Sequence, residues 1–139
     1  MERERAFAKE MASLDEVFNF LEEFFVLETI GKRESLAITL VAEELFTNLV
    51  KYNTTSHNPV IISLERDGLV VNLEVVDRDV DRFEPAALAE VDVNAPVDQP
   101  PPVRLGLHLV RAIVDRITFD YHERVMRIHV VKKLEPAYA

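Results

Sequence analysis

The chain contains no cysteine, so neither a disulfide framework nor a thiolate metal site can form. That fits a cytoplasmic protein. Cations are also in deficit: 16 Lys and Arg stand against 25 Asp and Glu, for a formal net charge of -9. Binding a phosphate backbone needs clustered Lys and Arg, so DNA, RNA and anionic membranes are not expected as direct partners. No apolar run approaches the roughly 18 residues of a membrane span, and no basic-then-apolar leader opens the sequence. A soluble, intracellular protein is expected. Glycine is scarce as well, with three in the chain. Gly31 separates two helical segments, Gly68 follows Asp67 in a hairpin signal, and Gly106 stands where a long loop becomes a helix.

What is present is the material of a core. Of 139 residues 48% are hydrophobic, enough for one domain over 1–139 and too few for two. A short edge strand is expected around Phe7. Ser13 followed by Glu16 predicts a capping box, after which Leu14, Val17, Phe18, Leu21, Phe24 and Phe25 keep the helical period to near Gly31. A second helix is predicted from about Glu34 to Tyr52, with Ile38, Val41, Ala42, Leu45 and Leu49 facing inward. The tract PVIISLERDGLVVNLEVVD predicts a hairpin, and from 78 to 103 the periodicity collapses into a long loop rich in proline at its end. LGLHLVRAIVDRI then reads as a helix with Leu105, Leu109, Val110, Ile113 and Val114 inward, and ITFDYHERVMRIHVVKKL as two strands about Glu123-Arg124. This order predicts an α+β fold, a two-layer sandwich of about three helices on a mixed, mostly antiparallel sheet.

One feature of the second helix does not fit a simple buried element. Glu44, Asn48 and Lys51 fall at i, i+4 and i+7, so they project from one face. Such a stripe is as often the solvated side of a helix as a site. Two other features raise its interest. Asp77 closes the apolar strand LVVNLEVVD, and Gly106 opens a helix whose first N–H groups suit phosphate oxygens. Gly106 also reads as a simple loop-to-helix hinge. His57, His108, His122 and His129 show no metal-ligand spacing.

Taken together, the helical E-x-x-x-N-x-x-K-Y, the strand-end Asp, the long loop and G-L-H-L-V-R-x-I-V-D resemble the GHKL ATPase superfamily. The similarity is greatest to the anti-sigma-factor serine kinases of the RsbW type, and it covers the chain from Leu14 to about Leu134. It implies the histidine-kinase-like ATPase (Bergerat) fold, with residues 78–103 as the ATP lid. Glu44, Asn48 and Lys51 match the N-box, Asp77 the start of the first glycine box, and Leu105, Gly106, Leu107 and His108 the second. The first box, VVDRDVDRFEP, has no glycine: alignment on the strand end selects Asp77, and alignment on Phe83-Glu84-Pro85 selects Arg78. Val103 and Arg104 stand where the family usually has a glycine pair before Leu105.

The resemblance implies ATP and Mg²⁺ as cofactors, with Asn48 as the metal ligand and Glu44 as the general base toward a partner's serine hydroxyl. It implies that Lys51, Arg104 and Gly106 border the phosphates, with Leu105, Leu107 and His108 nearby. Asp77 would accept from the adenine amino group. The implied partners are a sigma factor and an anti-anti-sigma factor, and the implied assembly is a homodimer. The alternative is a protein-interaction switch module of the same fold with impaired nucleotide binding.

Overall fold

A computed structural model of the chain describes residues 2–52, 57–79 and 109–135. Its strands are β1 (Glu2–Phe7), β2 (Val60–Asp67), β3 (Val70–Arg78), β4 (Arg116–His122) and β5 (Val125–Lys133). A 3-10 turn at Met11–Ser13 leads into α1 (Leu14–Leu27), α2 runs over Lys32–Tyr52, and a third helix, α3, is seen at 109–113. The five strands form one sheet in the order β1-β2-β3-β5-β4, and every pairing among them is antiparallel. The expected α+β sandwich is therefore present.

Strand alternation decides which side chains lie under the helices. On β3, Val71, Leu73, Val75 and Asp77 are buried, while Asn72 and Glu74 lie on the open face and are only partly buried. Ile62 and Leu64 of β2 and Met126, Ile128 and Val130 of β5 continue the covered layer. From above, α1 adds Val17, Leu21 and Phe24, and α2 adds Val41, Ala42, Leu45 and Phe46. Phe7 and Phe20 meet edge to face at 5.5 Å, which ties the edge strand to α1. Both hairpins turn on left-handed residues, Gly68 at φ 61 in one and Glu123 and Arg124 at φ 50 and 64 in the other.

Some expectations need correction. Ser13 does not form a capping box: the 3-10 turn gives it helical dihedrals, and its hydroxyl makes no cap hydrogen bond. Its N–H is already taken by the Glu10 carbonyl. The first helix stops at Leu27 rather than near Gly31, because Thr29 adopts φ 54 and closes a Schellman turn. In that turn Thr29 N–H donates to the Val26 carbonyl and Ile30 N–H to the Phe25 carbonyl. A β-branched residue is strained there, so Thr29→Gly should stabilise the protein by about 0.5–1 kcal/mol in urea unfolding. Leu109, expected inward, is 63% exposed, and Val110 carries the contact instead. Arg116, which the sequence pattern put in the last helix, begins β4, and Ile117, shared by the helical and strand tracts, lies in that strand.

Candidate functional site

The stripe on α2 crosses from the interior to the surface. Asn48 is buried, Glu44 is half-buried and Lys51 is exposed. A merely solvated face would leave all three in water. α2 packs on β3 and β5, so its inner flank is dry while Lys51 lies near the helix end.

Burial is the main reason that the Glu44 carboxyl is held above its ordinary pKa of 4.5. The neighbouring Glu43 charge adds to the rise, and Lys51 and the Asn48 amide oppose it. Asn48 nevertheless completes no hydrogen bond of ordinary length and angle through Nδ2, which is buried without a partner among the described residues. A buried amide left so is costly unless something else satisfies it. Glu44 also lines a cleft of about 280 Å³ between α2 and α3, with Leu40, Glu43, Leu109, Val110 and Ile113. The outward Leu109 is thus part of the wall beside the carboxylate.

The Glu44 shift has a testable consequence. A carboxyl with a raised folded-state pKa holds its proton more tightly when folded, so its contribution to stability is lost as pH rises from about 4.5 through the folded value. Glu44→Gln should therefore be more stable than the wild type at pH 7, with the difference vanishing near pH 4. Urea unfolding across that range measures it.

Asp77 sits at the sheet's helix-covered face, with a side chain of 0% exposure. Burial drives its pKa above 3.8, opposed by Lys9 and by the Arg78 backbone N–H. The Lys9 Nζ donates to Asp77 Oδ2 at 2.7 Å, and the lysine side chain is itself only 3% exposed. Of the two residues that the first-box alignments select, Arg78 is exposed. Lys9 was not among the residues that the sequence pattern singled out. It lies in the mixed stretch RERAFAKEM, and only the fold brings it to a residue 68 positions away.

Arg104, Leu105, Gly106, Leu107 and His108, and the lid beyond Asp79, lie outside the described residues. Among the described residues there is no cluster of three His, Cys, Asp or Glu able to hold a metal, and His129 is engaged with Asn72 on the open face. No helix there is long and apolar enough to cross a membrane. The donor set nonetheless suits Mg²⁺, which takes one or two protein oxygens and fills its octahedron with phosphate and water. Asn48 is the one amide on the stripe that could turn its oxygen to such an ion, since the two ends of an amide are assigned by their hydrogen-bond partners.

Comparison with known proteins agrees with this fold. The fold is similar to that of the RsbU and RsbW domains of Rv1364c from Mycobacterium tuberculosis, with a TM-score of 0.72 at 13% identity. That similarity covers 99% of this chain and 34% of the other, so this chain spans about a third of that protein's length. It is similar also to the SiaB-SiaC complex from Pseudomonas aeruginosa, with a TM-score of 0.67 at 15% identity over 93% of this chain and 88% of that one. At these identities the likeness is one of fold. No curated protein matches the sequence. Residues 7–132 match the family described as Histidine kinase-like ATPase domain, which spans both the α2 stripe and Asp77. The chain belongs to the histidine kinase-like ATPase domain family, within the GHKL superfamily.

Proposed function

We propose that the chain is an ATP-dependent protein-serine kinase of the RsbW type, which sequesters a sigma factor and phosphorylates a serine of an anti-anti-sigma partner. The observation that carries this reading is the α2 stripe: a half-buried carboxylate with a raised pKa, one turn from a buried amide that acts on it. Family membership supplies the nucleotide, since the domain is an ATPase domain. The structural likenesses are to an RsbW domain accompanied by an RsbU domain and to a complex of SiaB with SiaC, and both support a role beside a second regulatory protein.

Glu44 is the base. Its raised pKa moves it toward neutrality, where it accepts a proton most usefully, and the cleft beside it offers room for an incoming side chain next to the carboxylate. The serine O–H gives its proton to the Glu44 carboxylate, the serine oxygen bonds to the γ-phosphorus, and the bond from that phosphorus to the bridging oxygen breaks, leaving ADP. Asn48 would hold Mg²⁺, which offsets phosphate charge when bound. Lys51 contributes a point charge on the phosphate side, and Asp77 receives the adenine amino group. On the family resemblance Arg104 and Gly106 are assigned to the phosphates, with Leu105, Leu107 and His108 nearby.

Asn48→Ala tests the assignment without any partner protein. Titration calorimetry is expected to show ATP binding that no longer responds to Mg²⁺, in a protein with unchanged far-UV circular dichroism. Binding that keeps its full Mg²⁺ dependence would move the metal off Asn48.

A further inference from the structure

The Asp77 carboxylate, assigned above to the adenine amino group, is engaged by a cation from the chain itself. The segment that leaves β1 passes the end of β2, and a tight turn with Glu10 N–H on the Ala8 carbonyl holds it there. Lys9 reaches Asp77 Oδ2 at 2.7 Å, and both side chains are withdrawn from solvent. A charge-assisted bond of this length in a dry site is stronger than a neutral amino group can offer the same oxygen. A purine amino group arriving at Asp77 must therefore share the carboxylate with an ammonium or displace it. An ammonium has three N–H donors, and Asp77 is the one side-chain partner of Lys9 among the described residues. The remaining donors suit a ring nitrogen or a carbonyl oxygen on a base edge.

We infer that Lys9 is the determinant of base recognition in this protein: it competes with the 6-amino group for Asp77 and so removes most of the preference for adenine. This rests on the nucleotide reading above and adds to it a residue outside the family's motif positions. A pocket formed by a donor beside an acceptor meets adenine and guanine edges alike, since one presents an amino donor next to a ring acceptor and the other a carbonyl acceptor next to a ring donor.

The test compares ATP with purine riboside triphosphate, which differs by the 6-amino group alone, on the wild type and on Lys9→Met. Methionine keeps the apolar stem and removes the charge. The wild type is expected to bind the two within about threefold. Lys9→Met is expected to prefer ATP by about tenfold or more, the scale of a hydrogen bond to a charged acceptor. A wild type that already prefers ATP by tenfold overturns the proposal, as does a ratio that Lys9→Met leaves unchanged. If Lys9→Met does not fold, the wild-type ratio decides the matter alone. If neither triphosphate binds the wild type or the variant, the nucleotide reading itself fails and this proposal with it. Binding of both with an unaltered ratio removes only the role of Lys9.

Discussion

Glu44→Gln is expected to bind Mg·ATP as the wild type does and to transfer phosphate about 10² to 10⁴ times more slowly. The substitution keeps the shape of the side chain and its place on the cleft wall, so contacts made before reaction persist. What it loses, on the proposed mechanism, is the ability to take the proton from the serine hydroxyl as the oxygen attacks phosphorus. The same substitution should stabilise the fold at neutral pH, because the wild-type carboxylate is held in a partly dry position at a cost. A slower but more stable enzyme is the signature of a group placed for chemistry rather than for folding. Phosphate transfer measured with a purified partner, or ATP turnover in its presence, gives the rate. An unchanged rate would reject Glu44 as the base.

Lys9→Ala should cost about 3–5 kcal/mol of stability at pH 7, the range for removing one member of a buried ion pair. The loss arises mainly because Asp77 is left ionised at a site with 0% side-chain exposure. Burial already lifts its pKa above 3.8 with Lys9 present, and removal of the cation takes away the largest opposing influence. The defect should therefore grow as pH rises above about 3.8 and should shrink in acid, where Asp77 is protonated in both states. Combining Lys9→Met with Asp77→Asn should recover most of the loss, since no unpaired charge then remains. Urea unfolding of the two variants and the wild type at several pH values tests this. A change of less than about 1 kcal/mol in Lys9→Ala would place the pair in the surface class.

The residues that were legible from sequence are those fixed by local periodicity. Glu44 and Asn48 follow from the α2 repeat, and the place of Asp77 at the end of β3 follows from the apolar run LVVNLEVVD. The hairpin turns at Gly68 and at Glu123-Arg124 were equally local. What escaped depended on longer-range structure. Lys9 gains its meaning from a partner 68 residues on, across an intervening strand, and no pattern within RERAFAKEM marks it. Ser13 carried a good capping signal that a preceding 3-10 turn made unnecessary. Leu109 fitted the helical period of its own segment, yet α3 presents Val110 to the core and leaves Leu109 on the cleft beside Leu40. The exposure of Asn48 could not be read either, because a stripe at i, i+4 and i+7 can face water or protein. It is the packing of α2 on β3 and β5 that buries the amide.

The central claim, that this is a magnesium-dependent ATP site built on Asn48, Glu44 and Asp77, is tested most directly by calorimetric titration of the wild-type chain with ATP, once in excess Mg²⁺ and once in chelator. Saturable binding of one ATP per chain in Mg²⁺, weakened about tenfold or more by the chelator, is the predicted result, since a tenfold change corresponds to about 1.4 kcal/mol and losing a charge-assisted contact costs at least that. Absence of binding in Mg²⁺, or binding of equal strength in chelator, would contradict it.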